Sequence, residues 1–239
     1  MGGMTNPTIV LVHGAFAESS SWNRVIEPLI AAGHRVIAVA NPLRSLASDA
    51  AAVSDVVRQI EGPVVLVAHS YGGAVITNVQ AENVVALVYV AAFAPAPGET
   101  AFGLSTMFPG SSLGDALEAW PRTDGTTDLT IARDRFHEQF CADVPAPEAA
   151  LMAATQRPAT QEALTEPSGE TCLWKGVPSY FVVAELDRNI PAQLQRYLAE
   201  RAGAEQTIEL AGASHAAAVS RPDIIAETIL EACALKAVA

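Results

Sequence analysis

Cationic residues are scarce in this chain: 14 Lys and Arg stand against 26 Asp and Glu, giving a net charge of −12. A surface of that sign repels phosphate backbones and anionic bilayers, which argues against nucleic acid or a membrane as partner. Long apolar runs are missing too. The longest near-apolar stretch, residues 84–96, contains proline and is shorter than the roughly 20 residues a membrane helix needs. Cysteine is rare as well. Cys141, Cys172 and Cys233 are odd in number, far apart and without His or Cys at ligand spacing, which predicts reduced thiols and no metal site. Residues 1–7 hold neither a basic nor an apolar cluster, and Asn6 stands where an N-acylation signal wants Ser or Thr. A soluble cytoplasmic protein without a leader is the expectation.

What the chain has in plenty is apolar material. Half of its 239 residues are hydrophobic and only 17% are charged, enough for the core of one large domain. Short β-branched runs at 8–12, 35–40, 64–68, 84–91, 179–184 and 207–210 alternate with helical patterns at 22–32, 48–60, 72–80, 192–202 and 224–234. Strands that are apolar on both faces and separated by helices predict an α/β fold: a six-stranded, mainly parallel sheet with helices on both faces. Residues 95–175 break the rhythm. They are proline-rich, show no convincing strand, and predict short helices near 115–120, 133–140 and 146–155. We therefore divide the chain into a core of 1–94 and 176–239 and a helical lid, 95–175, inserted between two core strands. That insertion carries most of the Phe and Trp residues. Phe102, Trp120 and Phe136, with Phe16 outside it, are the candidates to line an apolar substrate pocket.

The chemistry centres on Ala68-His69-Ser70-Tyr71-Gly72-Gly73, directly after the apolar run 63–67. A strand that meets a serine flanked by small residues reads as a sharp strand-to-helix turn lifting the hydroxyl above the sheet edge. The usual pattern is Gly-x-Ser-x-Gly, and Ala68 replaces its first glycine. The plainer reading of Ser70 is a helix N-cap. A serine nucleophile needs a base, and that base an orienting acid. His34 falls at the wrong sheet edge, His69 points away from the serine, His137 lies in the insertion and His13 shapes the loop after the first strand. His215, in the loop after the last strand, is the base. Asp187, a short loop beyond the run 179–184, is the acid, with Glu185 and Glu99 as alternatives and a helix-end carboxylate partnered by Arg188 as its plain reading. His13-Gly14-Ala15-Phe16 supplies a bend whose amide can face Ser70. The N–H groups of Ala15 and Tyr71 form the expected oxyanion hole, with Phe16 as fallback for the first.

Taken together these residues resemble the α/β-hydrolase superfamily over nearly the whole chain. Val10-Leu11-Val12-His13-Gly14-Ala15-Phe16, Trp22 and Ala31-Ala32-Gly33-His34-Arg35-Val36 are similar to the branch of plant methylesterases and hydroxynitrile lyases, and still more to bacterial carboxylesterases grouped with it. The resemblance implies Ser70, Asp187 and His215 as triad, the amides of Ala15 and Tyr71 as oxyanion hole, and no metal or organic cofactor. Lyases of the branch carry lysine after the histidine; Ala216 stands there in this chain, which argues against cyanogenic chemistry. The expected partner is a small apolar ester, cleaved through an acyl-serine. Lactone, thioester or C–C bond cleavage on the same triad is the alternative within enzymes, and a non-catalytic ligand receptor the alternative outside them. A homodimer is compatible with the sequence, which carries no feature that decides oligomeric state.

Overall fold

The structure, a computed structural model, describes residues 6–234. Of the segment from which no leader was expected, residues 1–5 lie outside the described residues. Nine strands and eleven α-helices are formed among them. Six strands build the main sheet: β1 (Thr8–Val12), β2 (Val36–Val39), β3 (Val64–Ser70), β4 (Val84–Ala92), β8 (Ser179–Ala184) and β9 (Gln206–Leu210). Their order is β2-β1-β3-β4-β8-β9 and every pairing is parallel. The expected α/β sheet is the observed one.

The alternation of side chains along each strand explains why helices cover both faces. Ile9, Leu11, Val65, Val67, Val88 and Val90 pack on one side with residues of α1 (Asn23–Ala31) and α11 (Pro222–Ala234). Val10, Val12, Leu66, Ala68, Leu87 and Tyr89 pack on the other with α2 (Leu46–Arg58), α3 (Tyr71–Thr77) and α9 (Ala192–Ala202). The edge strands β2 and β9 are only partly covered, whereas the four central strands are buried at every position but Val85.

The chain runs outward from β1 to β2 and then returns to the far side of β1 to make β3. Strand order therefore reverses at β1 and β3, and a crevice opens beyond their carboxyl ends, where ligands bind in open parallel sheets. Val12 pairs with Ala68, so the loop starting at His13 and the turn at Ser70 emerge side by side.

Between β4 and β8 the chain forms α4 (Ala101–Ser105), α5 (Leu113–Ala116), β5 (Leu117–Pro121), β6 (Thr127–Ile131), α6 (Arg133–Phe140), α7 (Ala146–Thr155), β7 (Ala159–Thr160) and α8 (Gln161–Thr165). The helices at 133–140 and 146–155 form as expected. The helix expected near 115–120 does not: it stops at Ala116, and residues 117–121 pair antiparallel with β6 and through it β7. The reading of this segment as purely helical is corrected by that small sheet. Its pairing energy comes from a partner ten residues on, which local helical pattern cannot register.

Candidate active site

Ser70 closes β3 and immediately precedes α3 with φ 56° and ψ −127°, in the left-handed half of conformational space that non-glycine residues avoid at a cost of about 1–3 kcal/mol. Pairing with Ala92, a bond from Phe93 N–H to Ser70 O (3.2 Å) and the start of α3 hold it there. Two glycines make room for the turn. A Cβ at Gly72 would stand 2.5 Å from the Val12 carbonyl oxygen, and one at Gly14 2.6 Å from Ser70 Cβ. We expect Gly72→Ala to lower stability by several kcal/mol through this backbone clash, checked by a denaturant midpoint. Ala68 keeps negative φ, which is why alanine serves there. The Ser70 side chain makes no capping bond to its helix, and its hydroxyl bonds to no described residue. The plain N-cap reading of this serine is thereby removed.

His215 and Asp187 are brought together. Nδ1–H of the histidine donates to Asp187 Oδ2 at 2.7 Å, with the two side chains only 1% and 0% exposed. Because an ionised carboxylate only accepts, this bond puts the neutral ring's free lone pair on Nε2. The carboxylate is held by three further donors: Asn189 N–H (2.7 Å) and Ile190 N–H (2.9 Å) on Oδ1, and Gln195 Nε2 (3.0 Å) on Oδ2. Such charge-assisted bonds fix both position and rotamer. Arg188 pairs instead with Glu138, so the plain reading of Asp187 fails. The alternative acids are engaged elsewhere. Glu185 accepts from Gly212 N–H at 2.7 Å, and Glu99 pairs with Arg201 at 2.7 Å.

The remaining histidines have structural partners. His69 donates from Nε2 to the carbonyl of His215 at 2.9 Å, tying the histidine loop to the serine turn. Burial and the neighbouring His215 drive its pKa well down, so it stays neutral. His34 bonds the Pro7 carbonyl (2.9 Å) and His137 that of Val144 (2.8 Å). His13 accepts from Asn41 N–H at Nε2 (3.0 Å), which leaves Nδ1–H to donate to the Gly14 carbonyl (2.9 Å). This latch shapes the loop that carries Ala15.

Burial lowers the His13 pKa to about 4, against about 6.5 in an unfolded chain. Between those values the unfolded state binds more protons, so stability is present above pH 6.5 and is lost as pH falls towards 4. His69 acts in the same direction. From pH 7 to pH 5 we expect His13 alone to remove about 2 kcal/mol. Denaturant titrations at the two pH values check this, with His13→Gln as the comparison. The raised carboxyl of Asp49 works in the opposite sense but is common to both proteins. An unchanged pH slope in the variant would contradict the assignment.

Two amides near the Ser70 turn find no partner among the described residues. Tyr71 N–H opens α3, where no intrahelical acceptor exists. Ala15 N–H bonds to no described backbone group, whereas Phe16 N–H donates to the Arg157 carbonyl at 3.2 Å. The fallback amide is therefore already used. The Tyr71 hydroxyl donates to the buried Asp49 Oδ2 at 2.8 Å, anchoring the first turn of α3.

The four pocket candidates scatter. Phe136 is fully buried and stacks on Phe140 at 5.0 Å between ring centroids, so it is core and lines no open cavity. Trp120 is 55% exposed on β5, its indole N–H donating to Thr130 Oγ1, and it lines neither of two apolar clefts, which themselves are lined by none of Ser70, Asp187 and His215. Phe102 lines a cleft of about 440 Å³ with Phe93, Phe108, Leu113 and Leu164. Phe16 lines a second of about 470 Å³ with Leu151, Met152 and Val219. Sequence reasoning missed Gln195. It is a polar residue on the buried stripe of α9 beside Leu194, Leu198 and Ala199, and that misplacement was the available signal.

A strained serine turn at the strand-order reversal, with a buried Asp–His pair on the following loops, defines the hydrolase class of α/β proteins. The model of the alpha/beta hydrolase family matches residues 9–228, and the chain belongs to that family. It is 26% identical to Esterase PIR7B of Oryza sativa subsp. japonica, over 93% of this chain and 94% of that one. It is 28% identical to a Pyrethroid hydrolase of Sphingobium wenxiniae, over 95% of this chain and 88% of that one. The crystal structure of polyneuridine aldehyde esterase superposes with a TM-score of 0.80 at 19% identity, covering 95% of this chain and 99% of that one. Among the described residues no helix is long and apolar enough to cross a membrane.

Proposed function

We propose that the protein is a carboxylesterase that works through an acyl-Ser70 intermediate. His215 Nε2 takes the serine proton as Oγ attacks the ester carbonyl, and Asp187 stabilises the imidazolium that forms. The amides of Ala15 and Tyr71 hold the developing oxyanion; one such donor is worth about 3 kcal/mol in known hydrolases. His215 then returns the proton to the leaving alcohol and activates the water that releases the acid. The observation that carries this reading is the buried 2.7 Å His215–Asp187 bond, tied through His69 to a strained serine turn whose hydroxyl is uncommitted. The esterase names of the relatives support it.

The two apolar clefts support an ester with hydrophobic groups. Phe93, which bonds the Ser70 carbonyl, opens one cleft, and Phe16, which follows Ala15, opens the other. A panel of p-nitrophenyl esters of rising acyl length tests the proposal: turnover should favour apolar acyl groups and vanish with Ser70→Ala. Turnover that persists in that variant contradicts it.

The variants Phe102→Ala and Phe136→Ala should behave oppositely. Phe102 is 58% exposed, so its loss should shift chain-length preference by about 1–3 kcal/mol in kcat/KM while stability moves by about 0.5 kcal/mol or less. Phe136 is core, so its loss should lower stability by about 3–5 kcal/mol. Activity profiles and denaturant midpoints measured on both variants check the pair.

A further inference from the structure

Helix α6 and the turn after it touch both loops that carry the acid and the base. On the acid side, Gln139 Nε2 donates to the Arg188 carbonyl (2.9 Å) and to Asn189 Oδ1 (2.7 Å), while Ser112 Oγ donates to Gln139 Oε1 (2.8 Å). Asn189 is the residue whose N–H donates to Asp187 Oδ1. Gln139 and Asn189 are both buried, so these amides are shielded from water and each bond constrains the loop. Ser112 N–H also donates to the Arg188 carbonyl (3.0 Å) and Ser111 Oγ to that of Asn189 (3.0 Å), adding a second strand of attachment from the insertion.

On the base side, the Phe140 carbonyl accepts from Ala216 N–H (3.0 Å), the residue after His215. The Phe140 ring meets the His215 ring edge-on, 4.9 Å between centroids and 81° between planes, and meets His69 the same way at 5.9 Å. Ser214, the residue before His215, donates its hydroxyl to Asp143, whose other oxygen lies 3.3 Å from Arg221 Nη1. The histidine loop is thus gripped on both sides of His215 by the insertion, in addition to the bond that His69 of β3 makes to the His215 carbonyl.

We propose that α6 with its following turn is a clasp that positions the acid and the base together, so that the pair is complete only while this part of the insertion is seated. Gln139 is the positioning residue for the Asp187 loop; Phe140 and Asp143 are those for the His215 loop. Neither Gln139 nor Asp143 touches the reacting atoms; each acts through the loop it holds. The inference rests on the reading of Ser70, His215 and Asp187 as the catalytic set. It adds that an 80-odd-residue insertion, expected from sequence to be a lid with pocket-lining aromatics, supplies part of the scaffold for the chemistry.

The test compares Gln139→Leu, Asp143→Ala and Ser214→Ala with Trp120→Ala, a change in the same insertion that touches neither loop. Each protein is assayed for kcat and KM on one p-nitrophenyl ester, and the far-downfield proton resonance of His215 Nδ1–H is recorded. Ser214→Thr, which keeps the hydroxyl, serves as the rescue variant and separates loss of the bond from misfolding. The clasp predicts about a tenfold fall in kcat for the first three with KM within about twofold, and a broadened or shifted resonance. It predicts wild-type values for Trp120→Ala and for Ser214→Thr. Wild-type kcat and an unmoved resonance in folded Gln139→Leu and Asp143→Ala would overturn the clasp. Failure of the underlying reading looks different: Ser70→Ala or His215→Ala would then retain turnover whatever α6 does.

Discussion

Ser70→Ala folds normally and loses nearly all ester turnover, a fall on the order of 10⁶ in kcat by analogy with the loss of such a nucleophile in another serine hydrolase. The size of the effect follows from the geometry. The backbone at Ser70 is strained, its side chain lies against Gly14, and no capping bond occupies the hydroxyl. The variant keeps the strain but has no atom to carry the acyl group. Circular dichroism and a denaturant midpoint establish that the fold is intact. A kcat above a few per cent of wild type in the folded variant would remove Ser70 from the mechanism.

Asp187→Asn is the second large effect, expected to lower kcat by about 10⁴, the loss seen for the matching change in a serine protease. The carboxylate accepts the Nδ1 proton of His215 and four donors in all converge on it. An amide in its place either turns its oxygen to the histidine and presents N–H to the Asn189 and Ile190 amides, or does the reverse and favours the wrong tautomer. It also carries no charge to stabilise the imidazolium. Glu185→Gln and Glu99→Gln are the controls, because those carboxylates bond Gly212 and Arg201 instead. Their kcat should stay within a few-fold of wild type. Equal losses across the three variants would show that charge in general, and not this bond, is being measured.

Much of the site was legible because it rests on short-range constraints. The serine turn requires a buried strand, a small residue and a glycine at fixed spacing, and each is a property of neighbouring residues. Asp187 and His215 could be proposed because each follows a strand, the buried run of β8 and the alternating, half-exposed β9, and parallel strands bring their carboxyl ends to one edge. The order of the chain then did the rest.

What escaped depends on contacts between distant residues. β5 is exposed along most of its length and ends in proline, so it has neither the alternation of a half-buried strand nor an apolar run, and only pairing with β6 makes it a strand. Aromatic type did not reveal aromatic role. Phe136 and Phe140 lie on one face of α6 and pack inward, while Trp120 sits on a hairpin and faces water. Phe16 is only the fallback oxyanion amide on sequence, and its N–H donates to the Arg157 carbonyl, some 140 residues away, a contact that no local pattern reveals. Gln139 and Gln195 belong to no motif. Each is a single amide whose meaning comes from the loop it meets, Gln195 bonding the acid itself and Gln139 the residues next to it.

The central claim is that Ser70 is the atom-bearing nucleophile and that His215 activates it. The most direct measurement is labelling with a fluorophosphonate, followed by peptide mass spectrometry of the wild-type protein and of His215→Ala. The account predicts a single adduct, on the peptide containing Ser70, formed in step with the loss of ester turnover and much slower in His215→Ala. An adduct on any other residue, or full inhibition without modification of Ser70, would contradict it.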